Sequence, residues 1–192
     1  MKAFLGLGSN LGDRTANLVL ARGCLARIAR PGSLRSSHIY ETRPWGRPDQ
    51  PDYVNAVVTL ETQLSPRTLL RLVKECERRA GRPLPAPGAE PPDDQRWGPR
   101  VLDIDLLDVG GLVLHERGLI LPHPRIAQRA FVHVPLCEIE PAWRNPLTGR
   151  TATEMLAALD PEPGDVRLLG RFPESAEEPR AGSTDRPDLP RD

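Results

Sequence analysis

The stretch Arg96-Trp97-Gly98-Pro99-Arg100-Val101-Leu102-Asp103-Ile104-Asp105-Leu106-Leu107 decides how the rest of the chain is read. Two arginines and a tryptophan lead into an apolar run with the composition of a buried strand, yet the run holds two aspartates. On a pleated strand Asp103 and Asp105 share one face, and Leu102, Ile104 and Leu106 share the other. At about 3.3 Å of rise per residue, the two aspartate Cα atoms lie roughly 6.5–7 Å apart. Carboxylates drawn into a core need a partner. Pairing with Arg96 or Arg100 and binding of metal both meet that need, and spacing alone does not separate them.

Working outward, the other elements follow from periodicity and turn chemistry. Residues 3–8 read as a short buried strand, and Ser9-Asn10-Leu11-Gly12-Asp13-Arg14 as a turn. Leu18, Ala21, Leu25 and Ile28 form one helical stripe between Thr15 and about Ala29, closed by Pro31-Gly32. Ser33 to Thr42 alternates as a strand, Arg43 to Asp52 is an extended loop with prolines at 44, 48 and 51, and Tyr53 to Leu60 is the next strand. Ser65-Pro66 starts a helix whose face is Leu69, Leu72, Val73, Cys76 and Ala80, and Gly81 ends it. A long proline-rich, acidic loop, Leu84 to Gln95, separates that helix from the aspartate strand. Beyond the strand, Gly110-Gly111 predicts a hairpin into Leu112-Val113-Leu114. Short elements follow at Ile126 to Phe131, Val132 to Ile139 and Thr153 to Leu159.

The order strand–helix–strand–strand–helix–strand closes naturally as a split βαβ plaited sheet with helices on one face. The expected class is α+β, with a ferredoxin-like βαββαβ core of antiparallel sheet and flanking helices. One domain is expected over residues 1–172. From 173 to 192 the chain is proline-rich with six acidic and three basic residues, a composition that predicts a disordered tail of net charge −3. The whole chain carries 26 basic and 26 acidic residues, so the folded part is only mildly basic. That gives no general electrostatic case for nucleic acid or an anionic membrane. No apolar run approaches the roughly 20 residues of a membrane span, and the N-terminus turns polar too soon for a signal peptide. Cys24, Cys76 and Cys137 are odd in number and widely spaced, which reads as free thiols in a reducing compartment. A cytoplasmic monomer acting on small molecules, without nucleic acid or membrane, is the expectation.

Several stretches are candidates for chemistry. Gly6-Leu7-Gly8-Ser9-Asn10-Leu11-Gly12 follows a strand, but its spacing is GxGxxxG and no acidic residue closes a second strand at the distance a dinucleotide site requires. It reads better as a turn that lets backbone approach a neighbour or ligand. Asp103 and Asp105, with no cysteine nearby, suit Mg²⁺, which takes one or two carboxylates plus phosphates and water. Arg96 and Arg100 supply charge for phosphate oxygens. His123, between two prolines, is either a turn residue or a ligand. Trp97 and Phe131 fit a core, whereas Trp45 and Tyr53 can clamp a flat ring and Asn55 can read the edge of a heterocycle.

Taken together, these motifs resemble the 6-hydroxymethyl-7,8-dihydropterin pyrophosphokinases of the folate pathway, over about Ala3 to Pro141. The resemblance is carried by Gly8-Ser9-Asn10-Leu11-Gly12, Tyr40-Glu41-Thr42, Gln50-Pro51-Asp52-Tyr53-Val54-Asn55-Ala56, Arg96-Trp97-Gly98-Pro99-Arg100, Leu102-Asp103-Ile104-Asp105, and Pro122-His123-Pro124 through Arg129 and Phe131. It implies transfer of diphosphate from the co-substrate ATP to the pterin hydroxymethyl group, with release of AMP. It further implies that Asp103 and Asp105 hold two Mg²⁺ ions, and that Arg82 and Arg100 act on the triphosphate. Glu77, Arg96, Trp97, His123 and Arg129 join Arg100 around ATP. The pterin lies between Tyr53 and Phe131, with Thr42, Trp45 and Asn55 beside it.

The chain departs from the family pattern in two places. The loop between Gly81 and Arg96 is longer, proline-rich and acidic, and Leu84 stands near the place of a second basic residue. The tail after Phe172 is not covered, and no residues remain for a fused second folate enzyme. Two other classes compete with an enzyme: a non-catalytic pterin- or nucleotide-binding module, and a ferredoxin-like RNA-binding domain. The strands lack the aromatic pattern of the latter.

Overall fold

The computed structural model describes residues 1–44, 49–81 and 98–173. The strands are β1 (Lys2–Ser9), β2 (Arg35–Ser36), β3 (Ile39–Thr42), β4 (Tyr53–Glu61), β5 (Asp103–Val109), β6 (Leu114–Glu116), β7 (Leu119–Leu121) and β8 (Val166–Gly170). The helices are α1 (Arg14–Ala26), α2 (Pro66–Arg79), α3 (Ala130–Ile139) and α4 (Ala152–Leu159). The main sheet has the order β5-β1-β4-β3-β8, with β2 also on β4, and its pairings are antiparallel. Its first four members in that order form the ferredoxin-like βαββαβ core that the element order predicts.

Both faces of this sheet are covered, which corrects the expectation of helices on one face. Leu18, Ala21 and Leu25 of α1 and Leu69, Val73 and Cys76 of α2 pack on Leu5, Ala56, Val58 and Ile104. On the opposite face Val132, Leu136 and Ile139 of α3 and Met155 of α4 pack on Phe4, Val57 and Leu107. The sign of this second layer is in β4, where every residue from Val54 to Leu60 is buried. A strand covered on both faces has no polar alternation to show.

Local chemistry explains the other departures. Ser33 to Thr42 is not one strand. The Ser37 hydroxyl accepts from the Val57 N–H at 3.0 Å and breaks the ladder between β2 and β3. Gly110 and Gly111 do make a positive-φ turn, but it does not return as a hairpin on β5. The outer edge of β5 instead receives the His123 N–H, which donates to Leu107 O at 2.8 Å. The hairpin forms one turn later, where β6 and β7 pair around Arg117-Gly118. Ile126–Gln128 is a 3₁₀ turn, and Val132 to Ile139 belongs to α3 with Pro135 inside it. The edge strand β8 is unforeseen by the sequence reading. Phe172 packs against the α1–α2 side of the core, and the expected tail, residues 173–192, lies outside the described residues from 174 onward.

Candidate active site

A cleft of about 240 Å³ opens on the α3 face of the sheet, and its floor is β1. Gly6 and Gly8 are the β1 residues whose missing side chains would point into it. Neither has a positive φ, so glycine serves here for space rather than for backbone freedom. A Cβ on Gly6 would meet the Leu107 side chain at 3.5 Å, and one on Gly8 would lie 3.3 Å from Asn55 Oδ1. On one side of Gly8 stands Asn55 of β4, and on its other side Asp103 of β5; Asp105 stands opposite Gly6. The register therefore lays ring-binding and anion-binding candidates on one bare strip of backbone.

At the β4 end, Asn55 is buried and its Nδ2 donates to Thr42 Oγ1 at 2.7 Å. That bond fixes the amide and leaves Oδ1 above Gly8. Tyr53 is half-buried on the same wall and donates to Gly98 O at 3.4 Å. Phe131, at the start of α3, forms the facing side, with the Arg129 guanidinium 5.5 Å from its ring centre. These residues make a slot with apolar walls and a polar edge.

At the β5 end, Arg100 donates to Asp103 Oδ1 at 3.1 Å and Arg129 donates to Asp105 Oδ2 at 2.6 Å. His123 Nε2 lies 3.7 Å from the same Asp105 oxygen, while its Nδ1 accepts from the Arg125 N–H at 3.1 Å. In the neutral ring this places the proton on Nε2. Burial holds the His123 pKa below its ordinary value, with the neighbouring charges acting in both directions. The carboxylates pair with arginines, yet both are about a quarter exposed to the cleft. Arg96, the other arginine considered for pairing, lies outside the described residues, as do Arg82, Trp97 and Trp45.

Two cleft residues escape the sequence reading, Arg125 and Arg43. Both sit in irregular segments beside prolines, where no periodicity marks a side chain as inward. Glu77 is not brought to the cleft. It is fully buried beneath β5, where it accepts from the Ile104 N–H at 2.9 Å and from Lys74 at 2.7 Å. It braces the strand between the two aspartates.

Among the described residues no group of three or more His, Cys, Asp or Glu could cage a metal ion. Two partly exposed carboxylates with no thiol nearby instead match a hard cation that completes its shell with phosphate oxygens and water. Asp103 and Asp105 would hold Mg²⁺. With Arg43, Arg100, Arg125 and Arg129 around them, the arrangement can seat a polyanion against a flat polar ring.

The profile of the 7,8-dihydro-6-hydroxymethylpterin-pyrophosphokinase family matches residues 4–141. A 2-amino-4-hydroxy-6-hydroxymethyldihydropteridine pyrophosphokinase of Methylorubrum extorquens is 43% identical over 160 residues, which cover 83% of this chain and 94% of that protein. The protein of the same name from Pseudomonas aeruginosa is 36% identical over 169 residues, covering 88% of this chain and 98% of its own. Among solved structures, wild-type Plasmodium falciparum HPPK-DHPS superposes on 82% of this chain with a TM-score of 0.61 and 12% identity, a likeness of fold alone. This chain spans 43% of that longer one.

Proposed function

The chain belongs to the 7,8-dihydro-6-hydroxymethylpterin-pyrophosphokinase family, and from this we propose that the cleft over Gly6 and Gly8 is where its reaction runs. The enzyme transfers the pyrophosphoryl group of ATP to hydroxymethyldihydropterin and releases AMP, a step of folate biosynthesis. ATP is its co-substrate and Mg²⁺ its metal. The observation that supports the site is the row Asp103–Gly8–Asn55 across three strands, which joins an anion end to a ring end with no side chain between.

In this reading the pterin lies between Tyr53 and Phe131, with Asn55, Thr42 and Trp45 at its edge. Its hydroxymethyl group then points along the glycine floor toward β5. Arg82, Arg100 and Arg129 hold the triphosphate, with Arg96, Trp97 and His123 on the nucleotide, and Glu77 acts through the strand it braces. Asp103 and Asp105 hold two Mg²⁺ ions, which supply charge neutralisation and a lowered hydroxyl pKa when bound. The pterin oxygen attacks the β-phosphorus as the bond to the AMP oxygen breaks, and an aspartate carboxylate can accept the hydroxyl proton. Phosphoryl-type transfer of this kind rests on positioning and charge more than on covalent chemistry by the protein. The three cysteines are free, which suits a reducing cytoplasm, and we take the protein to act there as a monomer on small molecules.

The test is direct. Purified protein given ATP, hydroxymethyldihydropterin and Mg²⁺ is expected to release AMP rather than ADP, and to stop on chelation. Binding of both ligands with no AMP formed would reduce the protein to a pterin- and nucleotide-binding module.

A further inference from the structure

The turn after β1 makes none of the contacts assigned above, yet its Asn10 is only 2% exposed and is bonded on both sides of the cleft. On one side its Nδ2 donates to Pro51 O at 3.2 Å and reaches Gln50 Oε1 at 3.4 Å. On the other its Oδ1 accepts from the Arg100 N–H at 2.6 Å, and its own N–H donates to Arg100 O at 3.0 Å. Residues 50–51 lead into β4 just before Tyr53 and Asn55. Arg100 leads into β5 just before Asp103. A single side chain therefore ties the segment that carries the ring slot to the segment that carries the phosphate end.

We propose that Asn10 is a positioning residue that couples the two substrate sites, so that a nucleotide bound at Arg100 and Asp103 tightens the slot at Tyr53 and Asn55. This rests on the functional reading given above. The chemistry selects an amide, because only a group with a donor and an acceptor on one planar head can face a carbonyl and an N–H at once. Aspartate in its place keeps the acceptor for Arg100 but sets an oxygen against Pro51 O. Alanine loses all three side-chain bonds and keeps only the backbone N–H to Arg100 O. The tie is rigid because it is buried and short, so a shift of the Arg100 backbone carries into residues 50–51. Coupling of this kind is reciprocal: the pterin tightens the nucleotide by the same factor.

Ser9 provides the control. Its hydroxyl donates to Val101 O at 2.5 Å, accepts from Asn17 Nδ2 at 3.1 Å and is equally buried, but these bonds tie the turn to the β5 side and to α1, not to residues 50–51. The experiment is calorimetry of hydroxymethylpterin binding with and without a non-hydrolysable ATP analogue and Mg²⁺, on wild type, Asn10→Asp, Asn10→Ala and Ser9→Ala. Wild type is expected to bind the pterin about tenfold or more tighter when the nucleotide is present, a coupling of about 1.4 kcal/mol. In Asn10→Asp and Asn10→Ala that ratio falls close to one, while Ser9→Ala keeps it. If Asn10→Ala does not fold, the near-isosteric Asn10→Asp carries the result. An unchanged ratio in Asn10→Asp overturns the proposal, as does an equal loss in Ser9→Ala, which would mark general damage to the turn. A wild type that binds both ligands independently sinks the coupling alone; one that binds neither sinks the functional reading with it.

Discussion

Asp103 and Asp105 are charged groups with two sets of partners. Their pairs with Arg100 and Arg129 lie at the cleft wall, where ion pairs are partly screened and contribute little net stability. On the proposed function, the arginines turn to phosphate when the carboxylates take metal, and the exchange leaves no charge buried alone. Asp103→Ala is therefore expected to abolish Mg²⁺-dependent ATP binding and to lower kcat by about a hundredfold or more, on the scale of losing one preorganised electrostatic group. Near-full turnover would reassign the residue to structure. Asn55→Ala removes one hydrogen-bonding head from the slot, so pterin affinity should fall about tenfold and ATP affinity less than about threefold, measured separately by calorimetry. Equal losses would contradict its place in the slot. At this scale the sequence is most informative where spacing carries meaning. The two-residue step between the aspartates fixes their shared face, and Asn55 shares a face with Tyr53 for the same reason. Arg125 and Arg43 have no such step to read, and the burial of Glu77 under Ile104 depends on how α2 crosses β5.

The elements show why some boundaries are legible and others are not. Asp13 caps α1 by accepting from Ala16 N at 2.9 Å, and Ser65 caps α2 before a proline at its first position. Such caps are written in the sequence. The end of β2 is not, because Ser37 breaks that strand only through its partner on β4. Pro135 likewise divides the apolar run of α3 for a reader of sequence, although packing keeps the helix whole. The same helix carries His133, fully buried with Nε2 on Ile126 O at 2.9 Å, holding the 3₁₀ turn that precedes Arg129. Burial lowers the His133 pKa below its ordinary 6.5. Between that lowered value and 6.5 the unfolded chain binds more protons than the folded one, so this residue makes stability rise with pH there and level off above it. Urea unfolding at pH 5.5 and 7.5 is expected to show a larger acid loss in wild type than in His133→Leu. An identical acid loss in the two proteins would show that His133 does not contribute.

For the whole molecule, the sheet is sandwiched by α1 and α2 on one face and α3 and α4 on the other, and the second layer stops short of the floor at Gly6 and Gly8. β1 lies between β5 and β4, the position in a sheet where side chains ordinarily stack on both sides. Its α1–α2 side is filled by Ala3, Leu5 and Leu7, but the other side beyond Phe4 holds only hydrogen atoms over Gly6 and Gly8. The resting protein thus folds around a gap in its second core, and on the proposed function a planar ring seated between Tyr53 and Phe131 becomes the layer the chain itself does not encode. Substrate is then a folding ligand as well as a reactant. At a hundred times its dissociation constant such a ligand stabilises the fold by about 2.7 kcal/mol, visible as a raised melting temperature. Gly6→Ala should separate the two roles. Its methyl would make ordinary contact with Leu107, and in a compatible backbone that change stabilises the free protein by about 0.4–1 kcal/mol. The free variant should melt at or above wild type, yet respond far less to the pterin, as though part of the guest had been built into the host.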